Sequence, residues 1–362
     1  AAGQPWERLA IILTAVASFT GLSALVFRTK KLKIRYQHSD TSDIPGVAAF
    51  FLTALLLGIV QIKVDMPMLI FERFFPTFGW LEIFLLALYA RWVTVNMLDP
   101  SKSARWRLRI WLIFSIVFFG QFLLGILVSD TFFMTGKLHL PIPAIIVAGP
   151  LYRGHGFFMP ILFVSTIILV GPAWCSHLCY IGSWDNAAAL NRNRPSELPS
   201  WRQPLRIGIL VLIIAAAILL RAFGIPTSIA TLSGILFGLI GVGIMVLWSR
   251  RTGTMTHCIT YCPIGLLANW LGKLSPFRIR IFDGCTDCLA CRAECRYQAL
   301  TKEDIRNRKA GSSCTLCGDC VGSCSTNQIN YRFAKLSPEK ARILFIVLTV
   351  SIHAVFLGVA RI

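Results

Sequence analysis

The stretch 285-CTDCLACRAEC-295, answered by 314-CTLCGDCVGSC-324, decides how this chain is read. Each half is a C-x2-C-x2-C-x3-C quartet: Cys285, Cys288, Cys291 and Cys295, then Cys314, Cys317, Cys320 and Cys324. Two-residue gaps let three thiolates of one loop reach three irons of a cubane, while the fourth cysteine sits too far round and crosses to the other cluster. The spacing therefore assigns Cys285, Cys288, Cys291 and Cys324 to one [4Fe–4S] cluster, and Cys314, Cys317, Cys320 and Cys295 to a second. Structural zinc would use separated C-x2-C pairs or recruit histidine, and no histidine lies between Cys285 and Cys324. A disulfide framework needs an oxidising compartment, which the topology read below argues against.

Outward from this stretch the chain turns apolar. Of its 362 residues 55% are hydrophobic and only 15% charged, with a mean hydropathy of +0.65. That is the composition of an α-helical integral membrane protein carrying a small ferredoxin-like insert. Apolar runs near the ~20 residues needed to span a bilayer fall at 9–27, 44–62, 79–98, 110–128, 157–174, 207–223, 233–248 and 343–359. Pro160 and Pro172 interrupt the fifth, which a kinked membrane helix tolerates when its neighbours satisfy the freed carbonyls.

Basic residues cluster after the odd-numbered runs: Arg28, Lys30, Lys31, Lys33 and Arg35; Lys102, Arg105, Arg107 and Arg109; Arg192, Arg194, Arg202 and Arg206; Arg250 and Arg251. The loops between hold few: Lys63, Arg73, Lys137 and Arg153. By the positive-inside rule the rich side is cytoplasmic. The insert is then expected in the cytoplasm of a prokaryote, beneath the inner membrane, with both termini outside. The net charge of +19 is explained by this distribution, and no nucleic-acid partner is expected. Four regions follow: N-terminal spans at 1–106, a membrane core at 107–278, the two-cluster domain at 279–336 and a last helix at 337–362.

Four of the twelve cysteines remain. Cys175 and Cys179 lie in CSHLCYIG, and Cys258 and Cys262 in CITYCPIG, so C-x3-C-x-I-G occurs twice with two spans between the copies. Two intervening spans restore the orientation, which makes the copies parallel repeats about an axis along the membrane normal. Brought together, four thiolates can hold a further iron–sulfur cluster, bind copper or zinc, or cycle between dithiol and disulfide. The bland alternative is four thiols packed as small apolar residues. His177 and His257 beside them are candidates for ligation or proton transfer, whereas His353, inside the last span, reads as a hydrogen-bonded packing residue. Arg91 is expected to snorkel to the headgroups. The outer segment 66–80, with Met66, Met68, Phe71, Phe74, Phe75, Phe78 and Trp80, suits an aromatic belt in contact with lipid. His139 and His155 flank an apolar, proline-containing stretch at 140–151 and read as surface histidines.

Tandem C-x3-C motifs on paired membrane helices, followed by the two quartets, resemble the NapH/NosR/CcoG group of membrane polyferredoxins over roughly 107–333. Tyr180, Arg296 and Ser325 stand where that pattern has proline, and no flavin-attachment sequence of the NosR kind is present. The resemblance implies an electron relay between the quinone pool, or a cytochrome, flavoprotein or quinone-reactive subunit, and a respiratory partner. A copper-reducing assembly factor for an oxidase and an iron–sulfur redox sensor are the rival expectations.

Overall fold

The computed structural model describes residues 43–133 and 141–359. Among the described residues seven helices are long and apolar enough to cross a membrane: α1 Ile44–Lys63, α2 Gly79–Leu98, α3 Pro100–Leu127, α4 Phe158–Leu178, α5 Arg202–Ala222, α6 Thr227–Thr252 and α7 Pro338–Gly358. They answer to the second through eighth apolar runs. The first run, the basic group from Arg28 to Arg35, Lys137 and His139 lie outside the described residues.

Local chemistry sets the helix starts. Asp99 caps α3 by accepting from Ser101 N, and Pro100 occupies the first turn, where no amide partner is needed. Ser337 and Pro338 do the same for α7. At the far end of α2, Arg342 of α7 donates to the Leu98 and Met97 carbonyls at 2.6 and 2.8 Å. A buried cation thereby satisfies carbonyls the helix leaves open.

Burial shows which helix organises the bundle. Within their apolar windows α7 is 78% buried, against 17% for α5 and 11% for α6. The last helix in the sequence is the hub of the bundle, packed against α1, α2, α4 and the strand Ile329–Phe333. In its N-terminal half Phe345 stacks on Tyr331 (4.5 Å) and meets Phe277 edge-on (5.4 Å). Phe277 opens strand β1 (Phe277–Ile281), which pairs antiparallel with β2 (Ile329–Phe333). This two-stranded sheet closes the cysteine-rich segment at its base. β1 alternates buried and exposed, with Phe277, Ile279 and Ile281 inward, as a half-buried strand should.

Two surface readings change in part. In the segment 66–80, Met66, Phe78 and Trp80 are exposed as a lipid-facing belt requires. Met68 and Leu69 are instead buried, and Phe74 packs on Phe132 at 5.0 Å. Arg73 explains the difference, because it donates to the Met68 and Phe132 carbonyls and pins the segment to the bundle. His155 is exposed, as expected, and Arg91 pairs with Asp43. His353 is fully buried between Tyr89 Oη (3.1 Å) and the His177 carbonyl (3.2 Å), the packing role read from sequence.

Candidate iron–sulfur and metal centres

The two quartets fold as copies of one turn pattern. In each, the residues either side of the second cysteine take positive φ: Asp287 and Leu289 in the first, Leu316 and Gly318 in the second. Three residues past the last cysteine, Gln298 and Asn327 do so again. Such reversals aim successive amides into one concavity, the backbone nest that suits an anionic cluster. Non-glycine residues hold this conformation at about 1–3 kcal/mol each, so it persists where surroundings enforce it. Gly318 is required for a second reason, since a Cβ there would stand 2.4 Å from the Tyr331 hydroxyl.

One small cavity is lined by Cys285, Cys288, Cys291 and Cys324, and another by Cys295, Cys314, Cys317 and Cys320. The structure thus gathers the thiols in the crossed sets that the spacing suggests. Burial and the neighbouring thiolates push Cys291 up to about 11, and burial above all pushes Cys295 and Cys314 up to about 12. Iron would displace those protons on binding, so loading should become easier as pH rises. Cys295→Ala should damage the cluster held by Cys314, Cys317 and Cys320 and leave the Cys285 set comparatively intact. Electron paramagnetic resonance of the variant checks this, and loss of the opposite signal would mean that each quartet closes on itself.

The C-x3-C pairs are also structural copies. The regular α-helical part of α4 breaks at Gly171 (φ +67°), and α6 ends at Gly253 (φ +68°). Each chain then rewinds as a five-residue π turn, Trp174–Leu178 or His257–Tyr261. The second cysteine closes each turn: Cys179 N donates to Trp174 O (2.9 Å) and Cys262 N to His257 O (2.8 Å). π turns are rare and concentrate at functional sites. The glycine of C-x3-C-x-I-G has one cause in both copies. A Cβ on Gly182 or Gly265 would come within 3.0 Å of the carbonyl of Cys175 or Cys258.

All four thiols are buried and lie close enough to sense one another's charge. Cys258 feels the charges of Cys175, Cys179 and Cys262, which raise its pKa after the larger effects of burial and Asp185. Each cysteine carbonyl is held by a side-chain donor. Tyr297 Oη donates to Cys175 O (3.0 Å), Trp111 Nε1 to Cys179 O (2.6 Å), Arg206 Nη2 to Cys258 O (2.7 Å) and Arg206 Nε to Cys262 O (3.2 Å). Asp185 accepts from Cys258 N at 2.9 Å. These four bonds, from three side chains, satisfy buried main-chain carbonyls and fix the backbone that carries the thiols.

Here the sequence reading of the basic residues is corrected. Arg107 and Arg206, which the sequence places among the cytoplasmic loop charges, are 1% and 2% exposed. Arg107 makes a two-pronged pair with Asp319 (3.0 and 2.7 Å) and reaches Ser176 O at 3.2 Å. It joins the π turn of the first C-x3-C to the loop between Cys317 and Cys320. Ser176 Oγ adds a bond to Thr315 O at 2.9 Å. Arg296, read as a mere replacement for proline, donates to the carbonyls of Ala189, Arg192, Asn193 and Gly253, so it fastens the segment to both repeats. Charge counting missed these roles because a buried arginine at a helix end looks the same in sequence as an exposed one.

Spacing separates kinds of centre. Four thiolates on a single tetrahedral ion, with bonds of ~2.3 Å, stand ~3.8 Å apart. Among the described residues the one group whose ligand atoms all lie within 4.8 Å is Asp185, His257 and Cys258. No three of the C-x3-C thiols meet that limit, nor do three of either quartet. His257, buried beside Arg206, is pushed down to about 3 and stays neutral, and its Nδ1 makes no hydrogen bond. His177 bonds Ser176 Oγ through Nδ1 (3.0 Å) and sits against α7 rather than facing the thiols.

Fold and cysteine arrays together define a helical, membrane-associated iron–sulfur protein. The family described as "4Fe-4S binding domain" matches residues 152–194 and 234–281, the two halves that carry the C-x3-C pairs. A curated relative, "Putative electron transport protein YccM" of Escherichia coli (strain K12), is 28% identical over 204 residues, 49% of this chain and 56% of the relative. The chain thus spans little more than half the length of that relative. No solved structure matches.

Proposed function

We propose that this protein carries single electrons across the membrane–cytoplasm boundary through three iron–sulfur centres in a row. Cys175, Cys179, Cys258 and Cys262 would hold the first; Cys295, Cys314, Cys317 and Cys320 the second; and Cys285, Cys288, Cys291 and Cys324 the third. The observation that carries this reading is Tyr297. It lies two residues past Cys295, and its hydroxyl holds the Cys175 carbonyl. Its ring packs in one buried cluster with Cys258, Trp111, Cys295 and Cys317. The C-x3-C thiols and the inner quartet cavity are therefore in continuous packed contact.

Bound clusters would supply the one-electron redox chemistry, and the chain's own part is to tune and insulate it. Buried Arg206 and Arg107 favour the negative charge that thiolate ligation brings, and the apolar shell excludes water. Quinone or a quinone-reactive subunit would serve as the membrane-side donor or acceptor, consistent with the NapH/NosR/CcoG resemblance. Freeze-quenched resonance spectroscopy of the lipid-reconstituted chain mixed with a short-chain quinol tests the relay. Reduction of both quartet clusters in the wild type and its loss in Cys175→Ser supports it; equal reduction in both disposes of the membrane-side route.

The orientation follows from the basic loops, with the cysteine-rich segment cytoplasmic. Cysteines introduced at Lys302 and Thr227 report on it in intact cells. An impermeant reagent should label position 227 and spare 302, and the reverse would invert the topology.

A second reading, a metal-handling assembly factor, is favoured by Asp185, His257 and Cys258. Their oxygen, nitrogen and sulfur donors at single-ion spacing suit copper or zinc. Copper bound in the purified chain, and lost in His257→Ala with iron unchanged, would select it.

A further inference from the structure

The outward face of the two-stranded sheet is built against its own stability. Arg278 on β1 lies directly opposite Arg332 on β2, Arg280 follows on the same face, and a backbone bridge joins Arg280 to Lys309. Like charges placed directly across a strand pair are destabilising. Arg278 is occupied with the carbonyls of Gly272, Lys273, Ser275 and Phe277. Lys273, Arg280, Lys309 and Arg332 make no ion pair among the described residues.

These cations line one cleft of about 1120 Å³, just above the usual size range for small-molecule sites. Asp304 is the acid on its wall, and that carboxylate is spent on the Thr301 amide and hydroxyl. Cys314 and Leu316 form part of the same wall, so an occupant would lie against the inner quartet cavity. At the other edge lie Pro172, at the break within α4, and Asn269 and Gly272, at the end of the short helix Pro263–Leu271.

We infer that this cleft binds a phosphate-bearing anion beside the inner cluster site. Four unpaired cations converging on a concave wall match several phosphate oxygens rather than one carboxylate. The anion would offset the repulsion across β1 and β2. The same chemistry comes from two sources, a soluble nucleotide or the headgroup of an anionic phospholipid, and the cleft is open to both.

The test uses the full chain in nanodiscs of phosphatidylcholine, titrated calorimetrically with inorganic pyrophosphate. Binding should weaken about tenfold or more in the double variant Arg280→Gln/Arg332→Gln. It should be unchanged in Arg306→Gln, an exposed cation outside the cleft. Without anion, Arg332→Gln should unfold at the same temperature as wild type or higher, because it removes a like-charge pair. With pyrophosphate the wild type should overtake it. Repeating the titration in phosphatidylglycerol nanodiscs separates the sources. Competition by the lipid identifies a headgroup site, and unchanged affinity identifies a soluble ligand; either sustains the inference. Equal pyrophosphate affinity in wild type and the double variant would overturn it. So would a lower unfolding temperature for Arg332→Gln with affinity unchanged, which would make the arginines purely structural.

Discussion

Replacing Arg107 with alanine is expected to undock the cysteine-rich segment from the membrane helices. The guanidinium is 1% exposed and Asp319, its partner, 15%. The pair sits where the first π turn meets the loop between Cys317 and Cys320. Removing one member of a buried pair strands the other charge, at a cost of about 3–5 kcal/mol. Asp319, the Ser176 carbonyl and the adjoining packing would all lose their partner. Arg107→Lys keeps the charge but not the planar two-pronged fork, so it should recover only part of the loss. Arg107→Ala/Asp319→Ala should be less damaging than Arg107→Ala alone, because no carboxylate is left unpaired. Hydrogen exchange across 314–324, with the inner cluster's resonance signal, checks this. Unchanged protection in Arg107→Ala would show that the pair does not hold the interface.

The second large effect is expected at the C-x3-C pairs. Cys→Ser at any one of Cys175, Cys179, Cys258 or Cys262 should remove about four irons per chain, the content of one cubane. Cys175→Ser/Cys258→Ser should lose no more than either single variant, because the ligands act as a unit. Apolar packing predicts otherwise: mild, independent losses of stability with iron unchanged. Wild-type iron content in all four single variants would return these residues to the packing account.

What the sequence made legible was whatever rests on period and spacing. The apolar runs anticipated seven described helices, and the C-x2-C-x2-C-x3-C spacing anticipated the crossed grouping of thiols around two cavities. The repeated C-x3-C-x-I-G anticipated two matching turns, and the structure adds why that glycine recurs, since its missing Cβ lets the first cysteine's carbonyl approach. The rest depended on contacts distant in sequence. Tyr297 and Cys175 are far apart along the chain, as are Arg107 and Asp319, and nothing local marks them as partners. The place of α7 as hub was not legible, because position in the chain says nothing about position in a bundle. Asp185 breaks the symmetry of the repeats by bonding the Cys258 amide, and Ala268 occupies the corresponding place in the second copy. A signal was available in one respect. Arginine within a helical turn of an apolar run, as at Arg107 and Arg206, is costly enough in a membrane protein to justify a search for buried partners.

The central claim is that three centres, not two, occupy this chain. Iron and acid-labile sulfide, counted per chain after anaerobic purification and joined to resonance spectra through a redox titration, test it most directly. The account predicts about twelve irons, about twelve sulfides and three paramagnetic centres. About eight of each with two centres, from a chain whose C-x3-C thiols remain free to alkylation, would contradict it.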